Sequence, residues 1–296
     1  MTTRVPMIHA VAVTYRRPEQ IVDTLGLFAN QTRPPDTQVV IDNDADDDVR
    51  RIVEGHLGVP YVPLADNAGP AGAIAVGMQE VLLRAADCDW ILLIDDDDPP
   101  PFDTALERLA EIAFDLPSDV AGVGLAGSRY DRRTGVLSRL RDDELTRITD
   151  VDYLGGNQLP LYRVAAIRDV GGFLPELFFG FEELEFGLRL RDRGYRVVIE
   201  RELTLAVRDR YGRLGLGRRA PADRSAQSWR TYYSSRNQLL IARRYGRWPA
   251  RALVTARTLA GGFRGAVRSR SIHVVTPRVR GLLDGWRGRT GKTVVP

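Results

Sequence analysis

Trp90-Ile91-Leu92-Leu93-Ile94, followed at once by Asp95-Asp96-Asp97-Asp98, constrains this chain more than any other stretch of it. Five apolar residues in a row, ended by turn-forming ones, read as a short strand buried on both faces. In an open α/β sheet, ligands bind in the crevice beyond the carboxyl ends of the strands, so acids placed there can hold a divalent cation against a phosphorylated substrate. Hard carboxylate oxygens favour Mg or Mn. The competing reading is a solvated acidic turn closed by Pro99-Pro100-Pro101, and the flanking sequence decides between the two.

Those flanks alternate strand and helix. His9 to Thr14 is a short apolar strand, and Tyr15-Arg16-Arg17-Pro18 opens a helix over Glu19 to Asn30, with Pro18 near its first position. Thr37 to Ile41 is a second strand and ends in another set of acids, Asp42-Asn43-Asp44. Val59 to Leu64 reads as a third, and the turn Asp66 to Gly72 leads into a helix over Ala73 to Ala86. Such alternation implies parallel βαβ units in a right-handed, doubly wound sheet. Further on, the pattern predicts a helix over Asp103 to Phe114, a strand over Val120 to Leu125, an excursion or loop over Arg129 to Asp150 and a helix over Val164 to Val170. Strands follow at Tyr195 to Ile199 and Leu203 to Val207, then a helix over Ser228 to Arg244.

A chain of 296 residues can bury one large α/β domain with an appendage. No apolar run approaches the roughly 20 residues that span a bilayer, and no apolar segment of signal-peptide type follows Met1 to His9, which predicts a cytoplasmic protein. Cys88, the single cysteine, excludes an internal disulfide and a multi-cysteine zinc site, and its place before a buried strand suits the core. The net charge of +3 is unevenly divided: from Ile241 onward 13 basic residues face one acid, Asp284, a net of +12, which leaves −9 for the first 240 positions. All but one of the basic residues are arginine, and Lys292 is the exception. Guanidinium suits bidentate binding of phosphate. The chain is expected to divide into a larger domain at 1–222 and a helical, Arg-rich extension at 223–296.

Taken in order, Val11 to Pro18, Gln31-Thr32, Ile41-Asp42-Asn43-Asp44, Asn67 with Gly69 and Gly72, Asp95-Asp96-Asp97, Glu182-Glu183 and Arg236-Asn237 resemble the signatures of inverting glycosyltransferases of family 2. The chain is most similar there to actinobacterial galactofuranosyltransferases and rhamnosyltransferases of cell-wall glycan synthesis. The resemblance implies the GT-A fold, a Rossmann-like, mostly parallel sheet flanked by helices, with residues 1–100 binding the nucleotide sugar and 101–222 the acceptor. It also implies a UDP- or dTDP-sugar donor, a divalent cation, and a glycan or lipid-linked acceptor.

Residue roles follow from the resemblance. Asp42 would accept the uracil N3–H, although an Asx turn explains Asp42-Asn43 equally. Thr14, Arg17, Asn67, Gly72, Asp95 and Asp96 would line the nucleotide sugar, with Asp95 and Asp97 on the metal and Asp98 left over. The turn over Asn67 to Gly72 is also an ordinary helix entrance. Glu183 would be the general base that takes the acceptor's hydroxyl proton, with Glu182 orienting the acceptor. As dipole partners at a helix N-terminus, Glu182, Glu183 and Glu185 have a structural explanation too. Gly156 and Asn157 would face the sugar or acceptor, or form a plain turn, and Arg236 and Asn237 would bind the acceptor, or pack as part of a helix.

One expected residue is missing. The family's metal-ligating histidine falls near Val207-Arg208, and none of His9, His56 and His273 can fill that place by position, so that Asp209 would replace it, Arg208 would contact the diphosphate directly, or the metal would bind weakly. Two other readings remain: a nucleotidyltransferase, whose Gly-rich basic loop after the first strand is lacking, and a catalytically impaired carbohydrate- or lipid-binding protein. A dinucleotide oxidoreductase is disfavoured, because no G-x-G-x-x-G follows the first strand. The basic, apolar tail suits an anionic membrane surface better than nucleic acid, which the acidic body would repel, and makes it a docking arm at the inner face of the cell membrane. An oligomer is left open.

Overall fold

The computed structural model describes residues 4–57, 59–156, 158–215 and 228–295. An eight-stranded sheet, its strands in the spatial order 61–63, 37–42, 8–14, 90–95, 161–163, 120–124, 196–200 and 148–151, forms its centre. The nucleotide-binding half follows the expected alternation: β1 (Ile8–Thr14), α1 (Pro18–Ala29), β2 (Thr37–Asp42), α2 (Asp47–Ile52), β3 (Tyr61–Pro63), α3 (Gly69–Leu82), β4 (Trp90–Asp95) and α4 (Ala105–Asp115). β1 pairs in parallel with both β2 and β4, in a register that sets Thr14 beside Asp42 and Val13 beside Asp95. The carboxyl ends of three strands therefore open on one side.

Strand periodicity divides the core into two layers. Val11 and Val13 face one way, onto Ala73, Ile74 and Met78 of α3, while Ile8, Ala10 and Ala12 face the other, onto Ile21, Leu25 and Phe28 of α1 and Leu106 and Leu109 of α4. Trp90 to Ile94 of β4 are at most 5% exposed, as a strand covered on both faces requires.

Beyond α4 the chain continues through β5 (Val120–Gly124), β6 (Gly127–Asp131), β7 (Val136–Arg139), β8 (Ile148–Val151), β9 (Tyr153–Leu154), β10 (Leu161–Arg163), α5 (Val164–Val170), α6 (Glu182–Asp192), β11 (Arg196–Glu200) and α7 (Arg201–Arg210). Antiparallel pairs enter here, β10 with β4 and β5 and β8 with β11, so the sheet is mostly parallel rather than wholly so. The expected excursion over Arg129 to Asp150 is built structure: β6 and β7 form a hairpin that joins β9 in a small second sheet, and β8 closes the large one. Leu203 to Val207, read as a strand, is the middle of α7. Its alternating Leu203, Leu205 and Val207 mimic a strand, but the Glu200 carboxylate accepts from the Glu202 and Leu203 N–H groups and caps a helix instead. Cys88 is half-buried at the turn before β4 rather than in the core.

The extension is helical: α8 (Ser228–Arg244), α9 (Trp248–Ser269) and α10 (Thr276–Arg287). It is not a loose arm. Gly281 and Gly285 let α10 lie against α8, since a Cβ at Gly281 would come within 2.4 Å of the Tyr232 carbonyl oxygen. Beyond α10 the chain runs back to the catalytic domain, where the Gly291 N–H donates to Glu176 O at 2.6 Å and the Lys292 ammonium to Asn67 O at 3.0 Å.

Candidate active site

β4 delivers its acids into the crevice above β1 and β2. Asp96 is buried: Thr14 Oγ1 donates to one carboxylate oxygen at 2.9 Å and Arg17 Nη1 to the other at 3.0 Å, while Thr24 Oγ1 fixes its carbonyl at 2.7 Å. The same Arg17 nitrogen reaches exposed Asp97 at 2.7 Å. Asp95 differs, because among the described residues nothing donates to its carboxylate. Burial, then the neighbouring charges of Glu183, Asp97 and Asp96, push its pKa up to about 7. Burial and then Asp95 and Asp97 raise Asp98 to about 8, so the acid left over in the sequence reading shares the field of the others.

Across the crevice α6 brings its first turn. Of its three acids, Glu185 is a structural group: Tyr245 Oη donates to it at 2.6 Å and Arg189 Nη2 at 2.8 Å. Glu182 and Glu183 have no such partners, and Glu182 Oε2 is buried without a hydrogen bond. Both have raised pKa values, chiefly through burial, with the Glu183 charge adding to the rise at Glu182. Backbone N–H groups at the start of the helix, those of Gly180 and Glu182 for Glu182 and its own for Glu183, bond to the two carboxyls and partly offset that rise, yet they leave Glu182 Oε2 unsatisfied. The pair shares with Asp95, Gly156, Pro70, Ile74 and Phe173 a cavity of about 30 Å³, room for a water or a cation and not for a hexose. Gly156 presses on it: a Cβ there would lie 2.5 Å from Glu183 Oε1. The larger cleft by His9, Thr37, Tyr61 and Arg84, of about 570 Å³, lies at the other end of the strands, away from these acids.

Asp42 is wholly buried and serves its own turn, accepting from Asp44 N–H at 3.1 Å, Asp46 N–H at 2.7 Å and Tyr61 Oη at 2.6 Å. The Asx-turn reading is thus what the geometry displays, with one acceptor site left on a carboxylate that takes about four hydrogen bonds. Asn67 closes the facing turn: its Oδ1 accepts from Gly69 N–H at 2.8 Å and Asn43 Nδ2 at 3.3 Å. Gly72 lies buried in the first turn of α3, and Gly69, at φ 71°, packs so tightly that a Cβ would stand 2.0 Å from the Phe178 carbonyl oxygen. Asn157 lies outside the described residues.

The reading of Arg236 and Asn237 as acceptor contacts is corrected. Both are 0% exposed; Asn237 Nδ2 and Arg236 Nη2 donate to backbone carbonyls of residues 176–180, and the other Arg236 nitrogens donate to Gly291 O, Thr293 Oγ1 and Asn237 Oδ1, so neither presents a group to a ligand. The two residues suggested in connection with the missing histidine both lie on α7. Arg208 is buried against Asp142 and donates to Leu140 O at 3.0 Å, and Asp209 is exposed near the end of α7. Gln31 proves architectural, bridging Phe102 O and the Leu106 N–H at the start of α4. Sequence reasoning missed Thr24 and Lys292; only Lys292 left a signal, being the one lysine among 42 basic residues.

A hard divalent cation fits this donor set in kind. Repelling carboxylates with raised pKa values stand without internal cations except Arg17, and Mg-type ions need only one or two carboxylates when phosphates and water complete their shell. Among the described residues no three acids or histidines are already arranged as ligands, since Arg17 draws Asp97 away.

Solved structures share the whole architecture. A mannosyltransferase from Pyrobaculum calidifontis, determined with GDP-Man and Mn2+, aligns over 97% of this chain and 88% of its own with a TM-score of 0.52 at 15% identity. S. aureus TarS 1-349 in complex with UDP-GlcNAc aligns over 96% and 81% with a TM-score of 0.57 at 14% identity. The fold is that of the GT-A glycosyltransferases. The family described as "Glycosyl transferase family 2" matches residues 10–167, more than half of the chain, and the chain belongs to that family. Galactofuranosyltransferase GlfT1 of Mycolicibacterium smegmatis is 41% identical over 212 residues, 64% of this chain and 66% of that protein. GlfT1 of Mycobacterium tuberculosis H37Rv is 31% identical over 204 residues, 62% and 64% of the two chains. The matched stretch thus spans just under two thirds of these relatives.

Proposed function

We propose that this protein is an inverting glycosyltransferase that moves a sugar from a nucleoside-diphosphate donor, of UDP-galactofuranose or dTDP-rhamnose type, to a hydroxyl of a glycan or polyprenyl-linked acceptor. The convergence of Asp95 with Glu182 and Glu183 in one crevice, all with raised pKa values and none with a side-chain donor among the described residues, carries the reading. Glu183, held half-buried under Gly156, takes the proton of the acceptor hydroxyl as it attacks the anomeric carbon, and Glu182 orients the acceptor. Thr14, Arg17, Asp42, Asn67, Gly72 and Asp96 bind the nucleotide and diphosphate. Asp95 and Asp97 hold the divalent cation, which when bound neutralises charge on the departing diphosphate. The cavity of about 30 Å³ must widen to admit a sugar, and Arg17 must release Asp97. Transfer from UDP-galactofuranose and dTDP-rhamnose to synthetic alkyl glycosides, with Mg or Mn and with chelator, tests the reading; no turnover of either donor with metal would overturn it.

The acceptor class and location rest on the extension. No helix among the described residues is long and apolar enough to cross a membrane. α9 nevertheless leaves Trp248, Phe263 and Val267 between 63% and 78% exposed, on a segment of net charge +12. Exposed apolar side chains among arginines suit the anionic inner face of a membrane, where each arginine contributes about 1 kcal/mol before screening. Full-length protein should sediment with anionic vesicles at low salt, and Trp248→Ser/Phe263→Ser should weaken this several-fold; equal sedimentation of the two proteins would remove the membrane from the proposal.

A further inference from the structure

The loop that leads into α6 is held in a conformation that L-residues avoid. Phe178 has φ 61° and ψ −59°, Gly180 φ 78° and Phe181 φ 73°. Two non-glycine residues at positive φ cost on the order of 1–3 kcal/mol each and persist only where their surroundings over-determine them. The surroundings are Arg236 and Asn237, on α8. Asn237 Nδ2 lies 2.9 Å from Leu177 O, 3.0 Å from Phe179 O and 2.9 Å from Gly180 O, so its two hydrogens are shared among three carbonyls. Its Oδ1 accepts from Arg236 Nε at 2.9 Å, which fixes the way the amide faces. Arg236 Nη2 donates to Leu177 O at 2.8 Å, and Nη1 to Gly291 O at 2.6 Å and Thr293 Oγ1 at 3.1 Å. Tyr233 packs at a tilt on Phe178, with ring centroids 4.8 Å apart, and Trp229 meets Phe179 edge to face, at 4.7 Å.

We infer that Arg236 and Asn237 are positioning residues for Glu182 and Glu183. The carbonyls they hold end at Gly180, and α6 begins two residues later, so the clamp sets the direction in which the helix presents its first two carboxyls. A helix ordinarily leaves such carbonyls to water or to other loop atoms; here an arginine with no acid partner among the described residues and an asparagine, both without solvent contact, donate to four carbonyls of one loop. The chain's last residues complete the device. Gly291 N–H donates to Glu176 O, and the Tyr233 hydroxyl accepts from the Thr293 and Val294 N–H groups at 3.0 Å each. The extension therefore belongs to the catalytic unit.

The inference rests on the role proposed for Glu183, and its test separates the two. Asn237→Ala and Arg236→Lys are compared with wild type in transfer from UDP-galactofuranose, in UDP affinity with Mn, and in amide hydrogen exchange of residues 176–183. Asn237→Ala should lower kcat at least 10-fold with UDP affinity within 3-fold, and exchange at 177–181 should speed up. Arg236→Lys, which keeps the charge and loses the fork, should fall between. Unchanged exchange, or kcat within 3-fold of wild type while Glu183→Gln is inactive, would overturn the inference, as would a loss of UDP affinity equal to the loss of kcat. Should Asn237→Ala fail to fold, Arg236→Lys carries both readouts. The exchange measurement needs no turnover, so a protein inactive with every donor would discredit the functional reading and not the clamp.

Discussion

β4 has an acid at each end, and the two have opposite surroundings. Asp89, just before the strand, is fully buried and ringed by donors: the Met7 N–H at 3.0 Å, the Ala86 N–H at 2.7 Å and Arg4 Nη2 at 3.0 Å, with His9 Nε2 at 3.2 Å. Burial alone would raise its pKa, but the Met7 and Ala86 N–H groups, then His9 and Arg4, outweigh it and the pKa falls. Asp95, six residues on, has no donor among the described residues, and its pKa rises to about 7. Glu185 and Glu183, two residues apart on α6, repeat the contrast: the first is held by Tyr245 and Arg189, the second is not. An acid that joins elements together is satisfied from within the chain. Acids that await a cation, a diphosphate or a proton are left to the ligand, at a cost in stability.

Substitutions at these acids separate the satisfied from the unsatisfied. Glu183→Gln keeps the shape of the side chain and removes its basicity, so transfer should fall at least about 100-fold, close to 3 kcal/mol, with UDP affinity unchanged and the melting temperature not lowered. Transfer near the wild-type rate would move the base to Glu182. Asp89→Ala strips partners from buried N–H groups and should lower the unfolding free energy by about 2–4 kcal/mol without affecting the kcat of the folded enzyme. A smaller loss than at Asp95 would invert the assignment of structural and functional ends.

The smallest effects are those of pH. Asp89 has a lowered folded-state pKa, so its contribution is complete above the ordinary carboxylate range and is lost as pH falls toward the folded value. Asp95 has the opposite sign: with a folded pKa of about 7 against 3.8 when free, its penalty grows as pH rises between those values and is constant above. In chelator, Asp95→Asn should therefore stabilise the protein by about 1 kcal/mol at pH 7.5, after allowance for screening, and by nothing near pH 4. Denaturation midpoints at both pH values check this; an equal gain at each would mean that charge is not the cause.

The site was legible in unequal parts. Strand-end acids were visible because a both-sides-buried strand and an acidic run are local patterns, and the parallel register carried them to one edge. The split among Glu182, Glu183 and Glu185 was not legible, since it depends on Tyr245, which lies 60 residues further on. Arg236-Asn237 was visible as a motif, but its role was misread, because a polar pair on a helix looks alike whether it meets a ligand or a carbonyl. α7 was misread for a related reason: alternation at Leu203, Leu205 and Val207 is compatible with either structure, and the cap from Glu200 decided it.

By itself, then, the sequence determined the alternating strands and helices, the acids at their ends and the charge division, all of which follow from the period of the backbone and the solubility of side chains. Only the tertiary structure decided which acids are satisfied, that Asp97 is drawn to Arg17, and that residues 291–294 return to residues 176–180 and Asn67. Donors and acceptors find partners by distance in space, and contacts 55 to 225 residues apart leave no periodicity for a sequence to carry.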